Sequence, residues 1–130
     1  MAISTAILAR NDEVDALVAY MSTNGKLILY DGTPPATADT ALAGGNHVLV
    51  TLVVPSWSVT NDTATAAAIT PVAATGTGTA SFFRAFKTNG TTAVFQGTVG
   101  TAGSDLVLND VGLVTGAAVS VLSATYQLPA

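Results

Sequence analysis

Cysteine is absent from this sequence, and histidine occurs once, as His47. Without thiols the chain has no disulfide framework, no cysteine nucleophile and no thiolate metal site, so packing or assembly must stabilise it. One histidine excludes a histidine-rich metal site, and a Ser-His-Asp triad would depend on it alone. Because His47 begins the most apolar run and no Gly-x-Ser-x-Gly motif accompanies it, we expect a structural or strand-edge role.

Charge is the second shortage, since charged residues make up 9% of the chain and the net charge is -4. Four basic residues are too few for counterion release from a nucleic acid, which we therefore exclude as a partner. The stretch Gly76–Ser81 resembles part of a phosphate-binding loop but lacks its lysine and its following helix. Asp105, Asn109 and Asp110 fit no calcium loop. We predict no catalytic residues, no metal and no cofactor.

Long hydrophobic runs are also missing. The longest, His47–Pro55, is about half of the roughly 20 residues that cross a bilayer, so it predicts a strand. The N-terminus has no basic region before its apolar residues, and Arg10 with several acids follows too soon for a signal peptide. We expect a protein made and used without export, with no membrane partner.

A helical pattern occupies the N-terminal segment, residues 1–24. Apolar residues recur there at three- and four-residue steps, as on one face of a helix: Ile3, Ile7, Val14, Leu17, Val18 and Met21. The pair Asn24-Gly25 is a suitable end for this helix. Asn11 is also a suitable cap for a separate helix beginning at Asp12, so one helix or two remain open.

From residue 25 to residue 130 the sequence consists of short β-branched and aromatic runs separated by Gly, Pro, Asn and Asp. This pattern predicts a mainly β domain, an antiparallel β-sandwich of about eight strands. The strands are expected at Lys26–Tyr30, His47–Val54, Ala64–Val72, Gly78–Lys87, Thr92–Val99, Asp105–Leu108, Val111–Val114 and Ala118–Gln127. The proline- and glycine-rich segment Asp31–Gly45 is predicted to be an extended surface loop.

The pair Asn89-Gly90, between two apolar runs, predicts a two-residue hairpin turn. Counting outward from it, Phe86 opposes Ala93, and Arg84 opposes Phe95. One face of the hairpin then carries Phe82, Arg84, Phe86, Ala93 and Phe95, and we expect this aromatic face in the core.

Arg84 is the exception on that face. A guanidinium among phenylalanines needs an acid, carbonyl groups or ring faces to offset its desolvation. Asp105 and Asp110 are the candidate acids. The structural interpretation is an internal ion pair, and the functional alternative is an anchor between subunits, where arginine is enriched.

Four motifs follow the helical segment in a recognisable order. They are "LILYDGTPPATADTAL" (Leu27–Leu42), "GTASFFRAFKTNGTTAVFQGTVG" (Gly78–Gly100), "GSDLVLND" (Gly103–Asp110) and "GAAVSVLSATY" (Gly116–Tyr126). This pattern resembles small virion proteins of tailed bacteriophages. The resemblance implies a jelly-roll-like sandwich and the role of a capsid decoration, or cement, protein. It carries over no catalytic residue.

Such a protein is made in the bacterial host cytoplasm and located in the virion, on the outer capsid surface. The resemblance implies contacts with the major capsid protein and with copies of the chain itself, as a homo-oligomer such as a trimer. The N-terminal helical face either clamps a neighbour or closes its own sandwich. The interface candidates are Ile3, Ile7, Val14, Leu17, Thr33, Pro34, Pro35, Trp57, Phe83 and Arg84.

Two other roles remain open at this stage. One is a tail, neck or head-fibre-base component of the same particle, which composition does not separate from a capsid role. The other is a carbohydrate-binding β-sandwich module. Few aromatic residues are available to stack on sugars, namely Trp57, Tyr20, Tyr30 and Tyr126.

Overall fold

The computed structural model describes residues 6–21 and 23–127, which form one helix and twelve strands. The helix, α1, spans Ile7–Met21. The strands are β1 Gly25–Tyr30, β2 Val48–Val54, β3 Trp57–Thr60, β4 Thr63–Ala66, β5 Val72–Ala73, β6 Gly78–Thr79, β7 Phe82–Phe86, β8 Ala93–Gly100, β9 Leu106–Leu108, β10 Gly112–Leu113, β11 Ala118–Val119 and β12 Val121–Gln127. The predicted mainly β class with an N-terminal helix is confirmed.

Eight strands form one sheet in the order β2-β1-β7-β8-β9-β12-β4-β3. Its neighbours pair antiparallel except β8 and β9, which are parallel, so the sheet is mixed rather than wholly antiparallel. Two further ribbons of two strands each, β10-β6 and β11-β5, lie outside this sheet.

The sheet curls over on itself around one core. The ring centroids of Trp57 on β3 and Phe95 on β8 lie 6.2 Å apart. In a flat sheet these strands would be four spacings, or about 19 Å, apart. The two layers of this sandwich-like arrangement therefore belong to one continuous sheet.

Helix α1 is a single helix that packs on its own chain. It runs through Asn11 without interruption, so no second helix begins there. Val14 and Met21, one heptad apart, are fully buried, and the helix contacts β3 and β4. Arg10 forms an ion pair with Asp62 in the turn between these strands. Of the two predicted roles for this segment, the described residues adopt the one that closes their own sandwich.

The strands of the main sheet lie near their predicted positions, but β3 was not predicted. Asn61 and Asp62 form the turn between β3 and β4, with φ of 48° and 61°. Positive φ at both central residues suits a tight hairpin, and Asn and Asp tolerate it better than most residues. The predicted strand over Ala64–Val72 is correspondingly shorter, because the sheet contains Thr63–Ala66.

The hairpin of β7 and β8 differs from its predicted register. Phe86 pairs with Ala93 as expected, but the register then shifts, and Ala85 pairs with Phe95. Val94 is therefore an extra residue, a β-bulge, and a one-residue slip reverses the two faces beyond it. Arg84 consequently pairs with Gln96 rather than with Phe95.

The corrected register divides the aromatic residues between two faces. Phe83 and Phe95 face the core, where their rings pack edge to face with centroids 5.7 Å apart. Phe82 lies on the opposite face and stacks on Tyr30, with centroids 5.1 Å apart. Both faces of β7 are buried, so something other than the core must cover the second face.

Candidate functional site

Loop 31–47 covers that second face and is bonded to it by Arg84. Arg84 is 6% exposed. Its Nε donates to Oε1 of Gln96 at 2.9 Å, and its Nη2 donates to the carbonyl oxygens of Thr37, at 3.2 Å, and Thr40. Gln96 in turn donates from Nε2 to the carbonyl of Pro35 at 2.8 Å. Backbone carbonyls and one amide thus offset the desolvation of the cation.

Neither of the two acids predicted as partners of Arg84 bonds to it. The Asp105 carboxylate accepts a hydrogen bond from the backbone N–H of Thr98 at 3.0 Å. The Asp110 carboxylate accepts one from the N–H of Gly112 at 2.9 Å. The predicted ion pair with either acid is therefore wrong, because Arg84 bonds the chain's own loop instead. Its use as an anchor between subunits stays a prediction.

The base of loop 31–47 is closed by Asp31 and His47. The backbone N–H of His47 donates to Oδ1 of Asp31 at 2.6 Å, and the imidazole Nδ1 lies 3.2 Å from both carboxylate oxygens. The backbone hydrogen bond from His47 is the main reason that the pKa of Asp31 lies below its ordinary value. The position of His47 beside a strand end agrees with the structural role expected for it.

The interface candidates of the N-terminal segment have different positions. Ile3 lies outside the described residues. Ile7 is about half exposed, whereas Val14 is fully buried and Leu17 is partly buried against the core. Val14 therefore contributes no surface for a partner, which corrects its prediction as an interface residue.

The remaining candidates are also divided. Thr33 and Pro34 are exposed, and Pro35 is half-buried. Trp57 is half-buried beside the core. Phe83, at 1% exposure, is a core residue and is corrected in the same way as Val14. The candidates do not converge on one surface.

Two segments of the chain that carry no charged residue form a second candidate surface. Residues 63–83 and 111–127 contain no Asp, Glu, Lys, Arg or His. The two ribbons join these segments, because Gly112 pairs with Thr79 and Ala118 pairs with Ala73. We call residues 72–79 and 112–119 the ribbon cap.

Backbone hydrogen bonds hold the ribbon cap together. The N–H of Ala74 donates to the carbonyl of Ala117 at 2.8 Å, and the N–H of Gly116 donates back to Ala74 at 2.8 Å. Val72 is 36% exposed and Val114 is 57% exposed. An uncharged surface with exposed aliphatic side chains has the composition of the centre of a protein contact.

Charged groups stand at the border of the ribbon cap. The Asp31 carboxylate lies beside Gly78, because a Cβ placed on this glycine would be 3.1 Å from its Oδ2. The Asp110 carboxylate accepts a hydrogen bond from the N–H of Gly112. A charge-free centre with a polar border is the arrangement found in protein interfaces. Sequence reasoning missed this surface, although the two charge-free stretches are visible in the sequence, because their pairing is not.

Comparisons with known proteins leave the role of this surface open. Scans against protein-family models, curated proteins and solved structures find no match. Within residues 6–21 and 23–127, no three His, Asp or Glu side chains form a group that could hold a metal ion. The described helix is too short to span a membrane.

Proposed function

We propose that this chain is a non-enzymatic structural protein of a tailed-bacteriophage virion, namely a capsid decoration protein. It would bridge and stabilise neighbouring major capsid proteins from the outer surface of the shell. The virion assignment comes from the resemblance of its motifs. The observation that supports a bridging role is the ribbon cap, which presents exposed aliphatic groups without a single charged residue.

The absence of charge matters because burying an unpaired ion at an interface costs several kcal/mol. Contact through the ribbon cap would desolvate only hydroxyl, methyl and backbone groups, and each Å² of apolar area buried contributes roughly 25 cal/mol. Each contact would be weak. Many identical contacts repeated over a shell would add up through multivalency.

The ribbon cap is a better contact surface than helix α1. Leu8 is 75% exposed, but the exposed side of the helix also carries Asp12, Glu13 and Asp15. Burying that side would require these carboxylates to be paired or protonated. The cap also suits contact between copies of the chain, as the predicted homo-oligomer requires.

The test is a count of protein copies on purified particles that carry tagged chain. Val114→Asp places a charge in the ribbon cap, and at protein concentrations well below saturation we expect occupancy on heads to fall about tenfold, as for the loss of roughly 1.4 kcal/mol of binding free energy. Leu8→Asp is the control, because it makes the same kind of change on the exposed helix. We expect it to retain occupancy.

Two outcomes would count against this proposal. Equal occupancy of the Val114→Asp and wild-type chains would remove the ribbon cap as the contact surface. A few copies of wild-type protein at one vertex, or none on heads, would instead favour a tail, neck or head-fibre-base role.

A further inference from the structure

Strand β9 is short and leaves a gap between its two neighbours. It begins at Leu106 and pairs with β8 only at Val99 and Gly100. Beyond its start, β8 and β12 flank a cleft of about 290 Å³. The cleft is lined by Phe95–Gly97, Asp105 and Thr125–Gln127.

Backbone groups of both flanking strands point into this cleft. The N–H of Thr98 on β8 donates to Oδ2 of Asp105, and the N–H of Thr125 on β12 donates to the Asp105 carbonyl at 2.9 Å. Because backbone groups in a strand alternate between its two edges, those of Gln96 and Gln127 point to the same side. No strand in the described part of the chain pairs with them there.

At the start of β9, the spacing between the two strands that flank the cleft is that of one intervening strand. Both β8 and β12 are neighbours of β9, so they stand two strand spacings, or about 9.6 Å, apart at that level. The rings of Phe95 and Tyr126, with centroids 4.7 Å apart, provide apolar surface in the lining. Asp105 retains Oδ1, which accepts no hydrogen bond from the described residues and is available to a donor.

We propose that this cleft binds an extended peptide segment of another protein chain, which would add a strand between β8 and β12 in continuation of β9. Main-chain hydrogen bonds to Gln96 and Gln127 would provide affinity, as in other complexes formed by strand addition. A segment of about three residues fits, and a lysine or hydroxyl side chain would suit Asp105. This site does not depend on the proposed virion role.

The test uses the full chain and the probe peptide acetyl-Val-Lys-Val-methylamide, followed by amide NMR. We expect the resonances of Gln96 and Gln127 to shift and saturate with a dissociation constant on the order of millimolar. The matched control is the same peptide with every backbone amide N-methylated. It keeps the side chains but loses the donors, and we expect it to bind about tenfold more weakly.

A variant tests the same site from the protein side. Gln127→Pro removes the N–H that strand alternation directs into the cleft and away from β4, and proline is tolerated at such strand positions. We expect it to weaken peptide binding about fivefold, while Gln127→Ala retains it. If Gln127→Pro fails to fold, the two peptides still decide.

Three results would overturn the proposal. The first is the absence of shifts at Gln96 and Gln127 with the probe peptide. The second is equal binding of the methylated and unmethylated peptides. The third is saturation of the cleft by methyl glycosides but not by peptide, which would indicate a carbohydrate site.

Discussion

Loop 31–47 and the ribbon cap both lie outside the main sheet, and they are held by different forces. The loop is held mainly by side chains, above all the buried cation of Arg84 and the amide of Gln96. The cap is held by backbone pairing between two charge-free segments. A structure held by few side chains is sensitive to single substitutions, whereas one held largely by its backbone leaves its exposed side chains, here Val72 and Val114, free for contact.

Of the substitutions that test this comparison, Arg84→Met is expected to change the free energy of unfolding most. The change leaves the carbonyls of Thr37 and Thr40 and the amide of Gln96 without their charged donor. A hydrogen bond to a charged group contributes about 1.5–3 kcal/mol, but the three losses do not add in full, because the released loop groups can bond to water. We expect the free energy of unfolding to fall by about 3 kcal/mol. Urea denaturation measures it, and faster amide exchange confined to loop 31–47 would locate the change.

The control for Arg84→Met is Arg84→Lys, which keeps the charge but cannot reproduce the fork of donors. We expect an intermediate loss. If Arg84→Met changed stability by less than about 0.5 kcal/mol, as ordinary surface substitutions do, the loop would not depend on this side chain.

A smaller, pH-dependent effect is expected at the base of the loop. Because the pKa of Asp31 is lowered in the folded chain, first of all by the backbone N–H of His47, its carboxylate stabilises the fold above the unfolded-state pKa. This contribution is lost as the pH falls through the folded-state pKa. We expect wild type to be more stable than Asp31→Asn at neutral pH, and the gap to close in acid.

Unfolding by urea at a series of pH values from neutral to strongly acidic measures that gap. A matched Asp39→Asn variant, at an exposed position of the same loop, controls for the general loss of negative charge. A gap that stayed constant over this series would show that the charge of Asp31 does not support the loop.

The smallest effect is expected in the ribbon cap. The hydroxyls of Thr77 and Thr115 lie 3.1 Å apart on its exposed surface. Because backbone pairing holds the cap, we expect Thr115→Ala to change the free energy of unfolding by less than about 0.5 kcal/mol. A loss comparable to that of Arg84→Met would contradict the comparison between the two regions.

The local elements were readable from the sequence because local forces set them. The helical period of α1, the apolar run of β1 and the β-branched residues of β2 and β8 depend on residues that are near in the chain. The hairpin at Asn61-Asp62 and its strand β3 were not predicted, although Asn followed by Asp between two threonines resembles the Asn89-Gly90 hairpin signal. The bulge at Val94 has no such signal in the sequence. It shifts the register by one residue, so that Arg84 pairs with Gln96 rather than with Phe95.

The sequence by itself determined a mainly β chain with one N-terminal helical segment, almost no ionic chemistry and one lone histidine. Only the tertiary structure decided that the sheet curls until Trp57 meets Phe95, that Arg84 bonds its own loop, and that two distant charge-free segments form one surface. The physical reason is that pattern and composition act over a few residues. Register, curl and pairing depend on which distant residues can be buried together.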